Sequence, residues 1–391
     1  MREAWKRLSD PWDALVAPVE DGTVRGYREV LAATLGETGP FESALSAKWE
    51  SVRRELEERV PVPRINDQVL SPLEFSDFHQ QIRGFRLLPP RQLPCSVVFQ
   101  ETTDPKIRGR ALPSGLDFFV NSPVLRSSAA VRAVQTQFGP DIGGQLLGVP
   151  AVPLPDSLHG ESMKLLAKLQ NPLPTTVPAA LRTKAWSDLQ LWSQLGAWAE
   201  QRHTWALHTK ASEAYTSLDE PVTGMVSPYP DFFSGLAWLA RHTGETLVRF
   251  HEPPGIPEAL QRFRDFADLC DRLASLASKS LLGSRLSEEE GRWVDTYGTL
   301  LAGFHDYLEN SYEKPHDDFP TVARVFSSRE NNLAFYVGGS RPQALYVVAQ
   351  IGKRRQLFRG AVMTYREFSL PSDSKGRVIR KERCRRVRMG G

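Results

Sequence analysis

Residues 179–218, AALRTKAWSDLQLWSQLGAWAEQRHTWALHTKASEAYTSL, contain no proline and one glycine. Alanine, leucine and glutamine are frequent in this stretch, which predicts a long α-helix. At 100° per residue, Trp198 and Trp205 project from one side of that helix, whereas Trp192 projects from another side. Large aromatic side chains around the whole circumference are typical of a buried helix. We therefore expect this helix to lie at the centre of the fold.

The rest of the sequence predicts more helices, followed by strands. Helices are expected over residues 41–60, 71–85, 123–138, 229–247, 257–282 and 287–309, and a short extended segment is expected over 93–100. Ser287 and Glu290 have the spacing of an N-terminal capping box. After Pro315 the sequence becomes rich in Val, Tyr and Phe, which predicts strands over residues 321–326, 333–337, 344–351 and 356–368. The predicted fold class is mainly α (α+β): a multi-helix body around a long central helix, with a small antiparallel β appendage at the C-terminus.

The same pattern predicts four parts along the chain. Residues 1–60 form an N-terminal helical segment and residues 61–315 form the helical body. Residues 316–370 form the β appendage packed on that body, and residues 371–391 form a basic tail.

The distribution of charge indicates the kind of partner, and the cysteine content indicates whether disulfides or a zinc site are expected. The 391 residues carry a net charge of +3, yet residues 351–391 alone hold 13 Lys or Arg against three acidic residues. The end of this segment, residues 375–391, suits an anionic partner, either nonspecific nucleic acid or an anionic surface, and its lack of aromatic residues argues against sequence-specific reading. The three cysteines are scattered, which predicts neither a disulfide framework nor a zinc site.

The location of the protein is inferred from apolar runs. No run of 18 apolar residues occurs, so no membrane span is predicted. The first 15 residues lack the apolar core of a signal peptide, so the chain as it stands is expected in the cytoplasm. An extracytoplasmic location is the alternative if the N-terminus is incomplete.

Three segments of the chain resemble a known family. They are Leu112-Pro113-Ser114-Gly115-Leu116-Asp117, the helix segment Leu195-Gly196-Ala197-Trp198-Ala199-Glu200-Gln201-Arg202-His203 with Lys210, and Gly360-Ala361-Val362-Met363-Thr364-Tyr365-Arg366-Glu367-Phe368. Together they are similar to segments of the bacterial domain-of-unknown-function family numbered 3160, over roughly residues 60–370. The resemblance implies no established activity. No cofactor is predicted for the chain.

The central helix carries the candidate catalytic residues. Glu200, His203 and Lys210 fall within a stripe about 80° wide on one side of the helix. Buried ionisable groups must be paired, so the favoured interpretation is a structural ion network that joins this helix to its neighbours. The alternative is a hydrolase-like site, with Glu200 as general base, His203 as acid–base partner or metal ligand, and Lys210 or Arg202 binding an anionic group.

Candidate binding residues lie at several positions of the chain: Arg202, Ser114, Asp117 and Glu367. Ser114 and Asp117 sit in a Pro-Ser-Gly-Leu-Asp turn, where such residues usually bond to backbone amides. Glu200 and His203 have the spacing of one half of a di-iron site. The sequence lacks the matching second helix, so no metal is predicted. The leading hypothesis is a binding or scaffold-type protein without catalysis. The alternatives are the hydrolase-like enzyme and nonspecific contact with an anionic partner through the tail.

Overall fold

The computed structural model describes residues 10–17, 23–36, 48–60, 91, 93–104, 106–205, 225–250, 256–304, 321–328, 331–340, 342–351 and 354–371. The chain divides into two compact units. The first is Met1–Val97 with Pro155–His159, and the second is Val98–Leu154 with Gly160–Gly391. The predicted four-part division stays a prediction.

The described N-terminal part of the first unit contains three helical segments. Residues 10–15 are helical, helix α1 spans Val24–Leu35 and helix α2 spans Trp49–Arg59. Thr23 caps α1, since its side chain accepts a hydrogen bond from the Gly26 amide at 3.2 Å. The predicted helix over residues 71–85 lies outside the described residues.

Eight further helices are described along the chain, with two short 3₁₀ helices. They are α3 (Pro94–Glu101), α4 (Gly115–Val120), α5 (Ser128–Gly148), α6 (Leu158–Ala167), α7 (Lys184–Trp205), α8 (Pro230–Phe250), α9 (Ile256–Leu281) and α10 (Glu288–Gly303), and the 3₁₀ helices are Lys168–Gln170 and Ala179–Arg182. The capping box predicted for α10 is confirmed: the Ser287 amide donates to Glu290 Oε2 at 2.9 Å, and the Glu290 amide donates to Ser287 Oγ at 3.2 Å.

Helix α7 is the central helix of the second unit. Leu195, Trp198 and Ala199 are at most 1 % exposed. The Trp198 ring lies 6.0–6.3 Å, centroid to centroid, from four other rings, those of Phe99, Phe118, Phe119 and Tyr365. The sequence-based prediction of a buried central helix is therefore confirmed for residues 184–205, and residues 206–218 lie outside the described part.

The C-terminal strands form two antiparallel sheets. Strands β1 (Thr321–Ser328), β2 (Leu333–Gly339) and β5 (Arg366–Pro371) pair in the order β1-β2-β5, and β3 (Gln343–Ile351) pairs with β4 (Arg354–Val362). The small antiparallel β appendage is thus confirmed. The single strand predicted over residues 356–368 is wrong, because the chain leaves one sheet after Val362 and enters the other at Arg366.

The segment 93–100 is another correction, since it is helix α3 and not an extended piece. Pro94 stands at the first helical position, where its fixed φ favours a helix and its missing N–H leaves no donor unsatisfied. Val97, Val98 and Phe99 favour strands by propensity, but all three are buried. Tertiary packing therefore overrides the local preference of this apolar run.

Gly196 lets the chain between β4 and β5 pass close to the central helix. A Cβ atom at this position would lie 3.0 Å from Met363 Cβ and 3.0 Å from the Thr364 carbonyl oxygen. The residue after this contact is Tyr365, so the close approach places the start of β5 beside Trp198.

Candidate functional site

A turn before α4 provides the first part of the candidate site. Ser114 is the N-cap residue of α4, in an extended conformation with φ −129° and ψ 154°. Its Oγ accepts a hydrogen bond from the Leu116 amide at 3.2 Å, and its own amide donates to Asp117 Oδ2 at 3.0 Å. Ser114 and Asp117 therefore form a capping box, which satisfies amides that the helix itself leaves unpaired.

Asp117 also holds a buried ion pair with Arg110. The two terminal guanidinium nitrogens of Arg110, Nη1 and Nη2, donate to the two carboxylate oxygens of Asp117, at 2.6 Å and 2.9 Å, and Asp117 is fully buried. Nη1 of Arg110 also donates to the Thr102 carbonyl oxygen at 2.6 Å. Burial raises the pKa of Asp117, and the charge and hydrogen bonds of Arg110 oppose that rise. With both oxygens bonded to the guanidinium, this carboxylate serves to hold the turn in place.

Glu367 of β5 completes the group from the opposite end of the sequence. Its Oε1 accepts three hydrogen bonds: from Ser114 Oγ at 2.8 Å, from the Gly115 amide at 2.6 Å and from the Tyr365 hydroxyl at 2.6 Å. Its Oε2 has no hydrogen-bond partner in the described part of the chain, and the residue is partly exposed. Burial raises the pKa of Glu367, while the three donors lower it.

Tyr365 is a buried donor to Glu367. Burial and the neighbouring carboxylate of Glu367 raise the pKa of the Tyr365 phenol well above its ordinary value, so the hydroxyl keeps its proton at neutral pH. A Cβ atom on Gly115 would overlap this hydroxyl and would lie 2.9 Å from Trp198 Cζ3. Gly115 therefore has to be a glycine for the Tyr365 ring to reach Glu367.

The candidate catalytic residues of α7 bond to the first strand. Glu200 Oε2 accepts a hydrogen bond from the Thr321 hydroxyl at 2.5 Å, and His203 Nδ1 donates to the Val322 carbonyl oxygen at 3.0 Å. Arg202 is partly exposed, and its Nε is buried without a hydrogen-bond partner in the described part of the chain. Lys210 lies outside the described residues. The catalytic role of these residues stays a prediction.

Comparisons with known proteins identify the family. The model of the family described as "Protein of unknown function (DUF3160)" matches residues 1–378 of the 391-residue chain. The chain belongs to this family. Neither the comparison with curated proteins nor the comparison with solved structures gives a match.

Three of the seven candidate residues come together in this DUF3160 chain. Ser114, Asp117 and Glu367 form one hydrogen-bonded group, although 250 residues separate Asp117 from Glu367 in sequence. Arg110 and Tyr365 belong to the same group and were not predicted. Tyr365 stands two residues before Glu367, in a segment that resembles the family. This position is a signal that could have predicted Tyr365 as part of the site. No sequence pattern distinguishes Arg110 from the other arginines of the chain.

Two further observations concern metals and membranes. Among the described residues of the DUF3160 chain, no three His, Cys, Asp or Glu side chains are grouped so that they could hold a metal ion. Within that same part of the chain, no helix combines the length and the apolar character that a membrane crossing requires.

Proposed function

We propose that this DUF3160 protein is a binding or scaffold-type protein without catalytic activity of its own. The observation that carries the proposal is the environment of Glu367 Oε1. This oxygen accepts hydrogen bonds from Ser114, Gly115 and Tyr365. A carboxylate bonded in this way stabilises the contact between β5 and the start of α4.

The Ser114 hydroxyl is unsuited to act as a nucleophile in this arrangement. Ser114 is 2 % exposed, and its Oγ is already engaged with the Leu116 amide and with Glu367. A nucleophile needs access to substrate and a base that can take its proton. Here Glu367 shares its oxygen among three donors, and the serine side chain caps a helix.

The α7 residues support the same proposal. Glu200 and His203 bond to Thr321 and to the Val322 carbonyl, so both side chains join the central helix to β1. This arrangement fits the structural network that the sequence favours over a hydrolase-like site. These hydrogen bonds account for Glu200 and His203 on α7 without a catalytic role.

Turnover and stability measurements on two variants test the proposal. Glu367→Ala removes the acceptor of three donors, and Glu200→Ala removes the acceptor of Thr321. We expect each variant to lose about 1–3 kcal/mol of unfolding free energy, because buried donors are left without partners. We expect no hydrolysis of chromogenic ester, phosphomonoester or glycoside substrates by the wild-type chain.

Glu288→Ala is the matched control, because Glu288 is exposed and has no hydrogen bond or ion pair within the described residues. It should leave the unfolding free energy within about 0.5 kcal/mol of wild type. Turnover by wild type that disappears in Glu367→Ala or Glu200→Ala, at a temperature where the variant is folded, would contradict the proposal. It would favour the hydrolase-like alternative instead.

The basic tail stays a separate hypothesis, because residues 372–391 lie outside the described part of the chain. Its predicted contact with nucleic acid depends on Lys and Arg side chains that neutralise phosphates. Deletion of residues 375–391 should then abolish a salt-sensitive shift of DNA or RNA in a gel. The absence of any shift at low salt would dispose of this hypothesis.

A further inference from the structure

The outer face of the β3–β4 hairpin exposes apolar side chains. Tyr346, Val348 and Leu357 are 59 %, 58 % and 58 % exposed. The register pairs Val348 with Leu357 and Tyr346 with Arg359, so these side chains lie on one face of the hairpin. Exposed apolar side chains grouped on one face are typical of an interaction surface.

The inner face of the hairpin is already used for packing. Leu345 and Val347 pack against the core cluster that contains Trp186 and Tyr229, and Phe358 is buried. The core therefore fixes the hairpin through its inner face. The apolar residues of the outer face contribute nothing to that core, which leaves them available to a partner.

The charge of the hairpin indicates the chemistry of that partner. Residues 343–362 contain four Lys or Arg residues and no Asp or Glu. Arg355 and Arg359 are exposed, and neither has a hydrogen bond or an ion pair within the described residues. This surface is complementary to an acidic partner. The tail of the chain itself, residues 372–391, is also basic and would be repelled.

The free edge of β4 indicates the conformation of the partner. In the described part of the chain β4 pairs with β3 and with no other strand, so its second edge presents unpaired backbone N–H and C=O groups. Arg355, Leu357 and Arg359 follow one another at two-residue intervals along this edge strand. They point to the outer face, with a charge at each end and an apolar side chain between.

We propose that an acidic, extended segment of another protein adds to the β4 edge as a third strand. The segment would have the pattern acidic-x-apolar-x-acidic, which sets its carboxylates opposite Arg355 and Arg359 and its apolar residue opposite Leu357. The pattern is the same in both directions and therefore fits a parallel or an antiparallel strand. This inference rests on the proposed binding function and names its partner.

Two isomeric peptides test the proposal with the full chain. The first, Thr-Thr-Glu-Thr-Val-Thr-Glu-Thr-Thr, places both carboxylates on the same face of a strand as the valine. The second, Thr-Thr-Thr-Glu-Val-Glu-Thr-Thr-Thr, has the same composition but places them on the opposite face. In fluorescence anisotropy we expect the first peptide to bind at least about tenfold more tightly than the second, because only it matches the arginines.

Variants then locate the binding surface. Arg355→Gln with Arg359→Gln should weaken binding of the first peptide about tenfold or more, and Leu357→Thr should weaken it as well. Arg108→Gln with Arg292→Gln is the control, because both are exposed arginines outside the hairpin. It should leave binding unchanged. All four arginine positions are exposed, so these variants should fold normally.

Several results would overturn the proposal. Equal binding of the two peptides would mean nonspecific charge attraction, and binding unaffected by the Arg355 and Arg359 changes would place the site elsewhere. Binding to phosphatidylglycerol vesicles that depends on those arginines, without discrimination between the peptides, would assign the face to a membrane. Dimerisation that Leu357→Thr abolishes would assign it to a second copy of the chain. None of these results bears on the absence of catalysis, which the Glu367 and Glu200 variants test separately.

Discussion

Replacing Gly115 by alanine would put a methyl group where the Tyr365 hydroxyl lies. The new Cβ would overlap that hydroxyl, and it would also lie 2.9 Å from Trp198 Cζ3 and 3.0 Å from Tyr365 Cζ. The ring of Tyr365 would have to move, and its hydrogen bond to Glu367 at 2.6 Å would be lost. This substitution therefore tests how closely β5 approaches the start of α4.

The expected loss follows from three contributions. Overpacking of a core costs about 1–3 kcal/mol, and loss of a hydrogen bond to a charged group costs about 1.5–3 kcal/mol. Alanine restricts the unfolded chain more than glycine does, and this effect offsets about 0.4–1 kcal/mol of these two costs. We expect Gly115→Ala to lower the unfolding free energy by about 2–5 kcal/mol.

A double-mutant cycle with Tyr365→Phe isolates the hydroxyl contact. In the Tyr365→Phe background the oxygen is absent, so Gly115→Ala should cost at least about 1 kcal/mol less than in the wild type. The rescue is partial, because the close contact with Trp198 persists. Urea unfolding, followed by tryptophan fluorescence and by far-UV circular dichroism, measures the unfolding free energy of each variant. Each free energy is taken from the unfolding transition whose midpoint moves in Tyr365→Phe.

Gly298→Ala is the matched control. Gly298 lies within α10, and a Cβ atom there would meet no atom within 4 Å. Alanine should stabilise the chain by about 0.5–1 kcal/mol at this position. If Gly115→Ala behaved like Gly298→Ala, or if its cost were the same in both backgrounds, the close approach of Tyr365 to Gly115 would be refuted.

Other predictions concern the remaining polar contacts. Glu200→Ala and Thr321→Val should each cost about 1–3 kcal/mol, because each removes the hydrogen bond between these two residues. In a thermal-unfolding cycle, the double variant should therefore cost less than the sum of the two single variants. Arg110→Met should cost about 3–5 kcal/mol in urea unfolding, since it leaves Asp117 buried without its partner, and Arg110→Lys should recover only part of that loss. Burial raises the pKa of Glu367 above its ordinary value of 4.5, so the folded chain binds that proton more tightly than the unfolded chain. The stability from this group is full below pH 4.5 and is lost as pH rises through the raised pKa. The urea midpoint of wild type minus the urea midpoint of Glu367→Gln should therefore fall as pH rises. A difference that stays constant or increases with pH would contradict the burial of this carboxyl.

Elements with a strong periodic pattern could be predicted from the sequence. The buried central helix, the two long helices α8 and α9 and the α10 capping box all follow from local composition and spacing. The short apolar run that forms α3 could not be predicted in this way. A run of eight residues fits a helix or a strand equally well by periodicity, and packing against neighbouring residues decides between them.

The candidate site shows the same limit. Ser114 and Asp117 were recognisable as turn residues, because their types and spacing are those of a helix cap. Their bonds to Arg110, Tyr365 and Glu367 depend on where distant parts of the chain meet. Gly196 and Gly115 have no local signature of close approach, since the atoms that exclude a side chain belong to residues 363–365 and to Trp198.

The sequence alone determined the helices with clear periodicity, the change to strands after Pro315 and the distribution of charge, because these properties depend on neighbours in the chain. Only the tertiary structure decided that Glu367 caps α4, that Glu200 bonds to β1 and that the β3–β4 hairpin leaves an apolar, basic face uncovered. Each of these depends on contacts between residues far apart in sequence. A single sequence carries no direct record of such contacts, because they arise when separate elements pack and bury their polar groups together.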